Sequence, residues 1–199
     1  MELIVLGLVA GIGFASYALW HKARKDEGDA LAAERKRLMA PAERSPTTIQ
    51  VGDVVQHLGS DFLVEGVVTF SEDGRGARLY RLFEDGGERF LYAKAGAGDP
   101  MLLTPTATDA VAASAAGAAG DPPESLQHAG FAYRQTARAQ ASAIRVGQLG
   151  ARKHGDRVRV FEYAGPGPSR LLLVDWGDKI EAFAGERILA SALEILPAR

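Results

Sequence analysis

Phe62-Leu63-Val64-Glu65-Gly66-Val67-Val68-Thr69-Phe70 is the stretch on which the fold turns. Phe62, Val64, Val68 and Phe70 alternate with Leu63, Glu65, Val67 and Thr69, the two-residue period of a strand rather than the 3.6-residue period of a helix. Gly66 marks a bend or bulge within it, because glycine packs nothing and frees the backbone. Upstream, Val51-Gly52-Asp53-Val54-Val55 starts a short strand from a Gly-Asp turn. Downstream, Glu72-Asp73-Gly74-Arg75-Gly76 is a turn, and 79–83 and 90–92 are strands joined across Asp85-Gly86-Gly87. Met101-Leu102-Leu103 adds an edge.

The pattern lapses over about 105–128, where an Ala/Gly/Pro-rich segment has too few large apolar side chains to offset the entropy of ordering and is expected to be a flexible loop. Order resumes at Phe131. There Phe131, Tyr133, Ala137, Ala139, Ala141 and Ala143 share one face, opposite Arg134, Thr136, Arg138, Gln140 and Ser142, which predicts a long strand or two joined by a bend. Strands follow at 157–163, 170–176 and 180–184. Leu171-Leu172-Leu173-Val174 is apolar on both faces, as a strand covered on both sides requires. The fold expected is mainly β: two β-meanders, about 48–104 and 130–197, forming a small barrel or sandwich. Gly52-Asp53 and Gly155-Asp156 open both halves and suggest an internal duplication.

Ahead of this body stands 3–20, LIVLGLVAGIGFASYALW, apolar and uncharged. Its eighteen residues make a helix of roughly 27 Å, close to the hydrocarbon thickness of a bilayer. The sequence therefore predicts a transmembrane α-helix at 1–21, a charged helical stalk at 22–46 and a β-rich domain at 47–199. Lys22, Arg24 and Lys25 follow the apolar run, so the positive-inside rule puts the domain in the cytoplasm and the N-terminus outside the inner membrane. Tyr17 and Trp20 stand with those cations as interface anchors. Gly7, Gly11 and Ala15 recur every four residues and form a small stripe suited to contact with a second helix, from the same protein or another membrane protein.

Chemistry is harder to find. A net charge of −2 without a long basic run gives no electrostatic footprint for nucleic acid. With no cysteine, disulfides, thiolate metal sites and a cysteine nucleophile are excluded. His21, His57, His128 and His154 lack metal-ligand spacing, and no nucleophile elbow, P-loop or dinucleotide fingerprint is present. Glu65, Asp175 and Glu181 fall within strand patterns, where carboxylates usually face solvent, and His57 beside Gly59 is the least ordinary single residue. No catalytic residue, cofactor or metal is expected, and the chain reads as a non-enzyme.

Val51-Gly52-Asp53-Val54-Val55, Phe62-Leu63-Val64-Glu65-Gly66-Val67-Val68, Leu79-Tyr80-Arg81-Leu82-Phe83 and Phe90-Leu91 resemble the bacterial family called domain of unknown function 4178. In the second half, Phe131-Ala132-Tyr133, the strand at 157–163 and Phe183-Ala184-Gly185-Glu186-Arg187-Ile188 carry the likeness, which spans about 48–197. The chain departs from it at Ala77, Arg78 and Leu79, where the family often has a Trp before its strand. The resemblance implies a mostly β domain without an established activity, similar to proteins found beside membrane-stress and polyamine-related factors. Together these features predict a single-pass interaction or scaffold protein, linked to membrane stress, that presents its domain to a cytoplasmic protein partner. The alternative is a ligand-binding β-domain that senses a small molecule or a lipid headgroup near the bilayer.

Overall fold

Eleven strands carry the chain in the computed structural model, which describes residues 44–72, 75–84, 87–107, 122–149 and 157–198. They are β1 (Val54–His57), β2 (Ser60–Glu72), β3 (Arg75–Glu84), β4 (Gly87–Lys94), β5 (Ala97–Thr106), β6 (Ser125–His128), β7 (Phe131–Gly147), β8 (Val158–Ala164), β9 (Ser169–Asp175), β10 (Ile180–Arg187) and β11 (Glu194–Leu196). Consecutive antiparallel hairpins build one meander from β2 to β5 and another from β7 to β10. Pairing of β5 with β10 and of β2 with β7 joins them into a closed eight-stranded barrel. The choice between barrel and sandwich thus falls to the barrel. Among the described residues, closure leaves only the short β6 and β11 as sheet edges.

A bulge in each long strand decides what faces inward. In β2 the register shifts between Val64 and Gly66, so Phe62 and Val64 pack outside the barrel while Val68 and Phe70 point into it. One extra residue flips every side chain beyond it, so the four apolar residues that alternate in sequence do not share a face. In β7 the shift lies between Gln135 and Ala137: Tyr133 packs outside and Ala141 inside. Three apolar clusters result. The barrel interior holds Val68, Phe70, Leu79, Phe90, Leu172, Val174 and Phe183 among others. Outside the first meander, Ile49, Val55 and Ile188 lie with Val64, Tyr80 and Leu91; outside the second, Leu126 and Tyr133 lie with Phe161, Leu171 and Leu173. β9 is therefore covered on both sides, as its apolar run predicts.

The two halves are related by an internal pseudo-dyad. One constant shift carries Gln56-His57-Leu58-Gly59 onto Gln127-His128-Ala129-Gly130, and both turns adopt left-handed backbone, with φ of 51° and 84° at Leu58 and Gly59 and of 49° and 80° at Ala129 and Gly130. The same shift carries the β2 bulge onto the β7 bulge and Ser71 onto Ser142, and those two serines pair with each other. Across the barrel, Thr104 and Ala184 occupy equivalent ladder positions and also pair. A two-fold axis perpendicular to the barrel passes through both pairs and exchanges its ends. The Gly-Asp match expected to mark the duplication is not its signature; the QHxG turn is, and Gly155-Asp156 lies outside the described residues.

Asp53 ties the two ends of the described β-domain together. Its buried carboxylate accepts hydrogen bonds from the Gln50 amide at 2.7 Å and the Ala198 amide at 3.0 Å, with Arg44 Nε at 3.3 Å.

The structure corrects the expected architecture ahead of the barrel. Among the described residues no helix is long and apolar enough to cross a membrane, and the one helical segment is a 3-10 turn at Ala190–Ala192. The transmembrane helix with helical stalk, and the single-pass inner-membrane placement built on them, are therefore unsupported. Eighteen apolar residues only just reach the thickness of a bilayer, and composition alone does not make a span. Residues 1–43, with Gly7, Gly11, Ala15, Tyr17, Trp20, Lys22, Arg24 and Lys25, lie outside the described residues. Of the stalk, 44–46 are described, and they lead into a turn closed by the Thr48 amide on the Ser45 carbonyl at 2.9 Å rather than a helix. At the margins of the loop expected over about 105–128, β5 runs to Thr106 and β6 occupies Ser125–His128, while 108–121 lie outside the described residues.

Candidate ligand cavity

Alanine on β7 opens one end of the barrel. Beyond the bulge Ala137, Ala139 and Ala141 line the interior, and opposite them stand Phe70, Ala77 and Val160. Small side chains in one strand leave a cavity of about 590 Å³, whose rim includes Glu72, Tyr92, Lys94, Arg138 and Glu162. That volume lies within the range of small-molecule sites, roughly 300–1,000 Å³. An eight-stranded barrel is just wide enough either to be filled by its own side chains or to hold one small ligand.

The cavity has one polar cluster. Alternation along β8 puts Glu162 on the same inward series as Val158 and Val160, and along β4 it puts Tyr92 and Lys94 in series with Phe90. The Glu162 residue is only 8% exposed, and Tyr92 4%. Tyr92 Oη donates to Glu162 Oε1 at 2.9 Å, and Lys94 Nζ lies 3.0 Å from the same oxygen. Glu162 Oε2 has no hydrogen-bond partner among the described residues. Burial raises the Tyr92 pKa well above the ordinary phenol value, and the negative charge of Glu162 pushes it further. The phenol is therefore a neutral donor, and the ammonium of Lys94 balances the buried carboxylate. Nearer the mouth, Glu72 Oε1 accepts the Gln140 amide at 3.2 Å.

The pseudo-dyad supplies an internal comparison. The first ladder pair past the bulge is Gly66–Arg81 in one half and Ala137–Glu162 in the other, so Arg81 and Glu162 are equivalent. Val68 and Phe70 stand where the other half has Ala139 and Ala141. Continuing the ladders sets Trp176 opposite Val158 where Lys94 stands opposite Ala77. At the far end Trp176 fills the barrel, 6.1 Å from the Phe70 ring centroid and 4.4 Å from the Arg145 guanidinium. There Arg81 bridges Glu65, at 2.8 Å, and Glu88. One end is plugged and the equivalent end is open.

The residues singled out in sequence lie elsewhere. Glu65 holds Arg81, Asp175 holds Arg159, and Glu181 accepts the Trp176 indole at 3.0 Å and pairs with Lys179. All three are structural anchors, not a converging pair. His57 lines a second, open cleft of about 410 Å³ with Gln56, Asp61 and Glu194, and Gln56 is already bonded to Asp61 at 2.7 Å. His128, its equivalent, packs on Tyr133 with ring centroids 6.1 Å apart. His21 and His154 lie outside the described residues. Among the described residues no three His, Asp or Glu side chains converge as metal ligands. Sequence alone does not single out Glu162, Tyr92 and Lys94: Glu162 and Tyr92 count only as parts of strands, and the strand expected at 90–92 ends short of Lys94. An inward Glu after two inward valines was the available signal.

Residues 50–190 match the model of a family described as a domain of unknown function, DUF4178. No curated protein and no solved structure matches the chain.

Proposed function

The chain belongs to the DUF4178 family, whose description assigns no activity, and from that premise we propose that the barrel is a non-enzymatic binding domain for one small amphipathic molecule. The ligand's apolar body occupies the space between Phe70, Ala77, Ala139, Ala141 and Val160, and its polar end meets the cluster at Glu162. The observation that carries this is the contrast between equivalent ends. Where one end is filled by Val68, Phe70 and Trp176, the other keeps alanines and an open cavity of about 590 Å³. Filling that space would gain burial at little cost, so its retention favours an occupant.

A neutral apolar dye, N-phenyl-1-naphthylamine, tests the assignment. Its emission is expected to rise saturably on the full chain, and Ala139→Leu should weaken binding at least roughly tenfold, as a blocked site does, without loss of stability in urea. Equal affinity in the filled variant would move the site out of the barrel.

A protein-interaction role has its own support. On the outer face of β7, Ile144 and Val146 are 63% and 56% exposed, with Val51 also exposed beside Gly147. Exposed apolar side chains in one strip mark contact surfaces. Replacing Ile144 and Val146 by Lys would abolish such a contact and leave dye binding unchanged, which separates the two roles.

A further inference from the structure

We infer that the polar end of the ligand is an uncharged hydrogen-bond donor, a hydroxyl or an amide N–H, received by Glu162 Oε2. This rests on the cavity assignment above and adds the chemistry of the group that enters. Both protein donors, Tyr92 Oη at 2.9 Å and Lys94 Nζ at 3.0 Å, fall on Oε1. Among the described residues Oε2 receives no donor, and it is left as an acceptor open to the cavity on a side chain that is only 11% exposed. A ligand that displaces water from this oxygen must replace the hydrogen bond it takes away, and a carboxylate oxygen rewards a donor more strongly than a neutral acceptor does.

The charge of the incoming group follows from what already surrounds Glu162. Lys94 neutralises the carboxylate, so a ligand ammonium would meet a like charge within a few ångströms or have to displace it. A ligand carboxylate would face Oε2 itself, and Glu72 and Arg138 at the rim leave no net positive charge to offset that repulsion. Only a neutral donor completes the cluster without breaking the ion pair. An ether or ketone of the same shape brings an acceptor against an acceptor.

Four naphthalene probes of matched shape separate these cases: 2-naphthylmethanol, its methyl ether, 2-naphthylmethylammonium and 2-naphthylacetate. They are titrated into full-length protein labelled at alanine methyls, so that Ala137, Ala139 and Ala141 report occupancy at the cavity itself. The alcohol is expected to saturate those methyls at roughly tenfold lower concentration than the other three, the scale of one hydrogen bond to a charged group. Glu162→Gln places an amide NH₂ where Oε2 stood and should erase the preference for alcohol over ether. Lys94→Met should leave the alcohol nearly unchanged and strengthen the ammonium at least roughly tenfold, by removing the competing cation. If the ether matches the alcohol, or either charged probe binds wild type more tightly, the ligand class is wrong while the cavity remains a site. If no probe moves any of the three methyls, the cavity assignment itself falls and this inference with it.

Discussion

Buried phenols show how single residues couple this barrel to its solvent. Tyr163 is fully buried outside the second meander and donates its hydroxyl to the Pro123 carbonyl at 3.0 Å. Burial pushes its pKa from 10.0 up to about 12. For an acid with a raised folded-state pKa, the folded protein holds the proton more tightly than the unfolded chain. Its stabilising effect is complete below pH 10 and is lost as pH rises from there through about 12. Tyr80 and Tyr92 shift in the same direction, both chiefly by burial. The urea midpoint of the wild type should therefore hold steady just below pH 10 and fall between pH 10 and 12. Tyr163→Phe should start lower by about 1 kcal/mol, the value of one hydrogen bond, and then fall less steeply. Parallel declines in the two proteins would mean that Tyr163 is not one of the groups responsible. Asp53 shows a different use of burial: its carboxylate holds the segment before β1 to the segment after β11, and the Gly-Asp turn visible in the sequence gives no hint of that task.

Closure of the barrel rests on two glycines that face each other where β2 meets β7. Gly66 pairs with Gly147, and a Cβ on Gly147 would lie 2.3 Å from the Glu65 carbonyl oxygen and 3.0 Å from the Gly66 Cα, on a backbone with φ of +80°. Neither contact can relax by rotating a side chain, because both partners are backbone. Gly147→Ala should cost about 2–3 kcal/mol by strain and overpacking. Gly76→Ala is the control, since its nearest neighbour would be the Phe70 carbonyl at 3.8 Å, and it should change stability by less than about 0.5 kcal/mol. Urea denaturation of the pair decides the matter: equal midpoints would remove the close approach as the reason for glycine at Gly147. The bulge at Gly66 was legible in the sequence, and so were the strand at β9 and the long alternation of β7. What alternation does not carry is the flip that a bulge imposes. It placed Phe62 and Phe70 together when they face opposite layers, and it gave no sign that the inward run of Ala137, Ala139 and Ala141 walls a cavity. Strand pairing over long sequence separation, such as β2 with β7, has no local signal, so the pattern left barrel and sandwich both open and gave no sign of the open end. The apolar run at 3–20 lies outside the described residues, and length and hydropathy were the whole of its content.

Duplication makes the whole barrel a comparison of two ends built on one plan. The ladders set Trp176 in the far end where Lys94 stands in the near end, and set Arg81 where Glu162 stands. The far end uses its residues to close: Trp176 packs in the barrel core, its indole held by Glu181 and its face covered by Arg145, while Arg81 is held between Glu65 and Glu88. The near end has kept the bulge, the ladder and the inward period, yet exchanged the filling residues for alanines and a balanced polar cluster. If that account is right, removing the plug should recreate an opening on the far side. Trp176→Ala is expected to cost about 3–5 kcal/mol, the scale of deleting a large buried aromatic. The same variant should bind N-phenyl-1-naphthylamine at two sites where the wild type binds at one, and Ala139→Leu in the same chain should return it to a single site. A Trp176→Ala protein that stays as stable as the parent and binds one equivalent would show that the tryptophan does not close the far end, and the contrast between the ends would lose its force as support for a ligand at the near one.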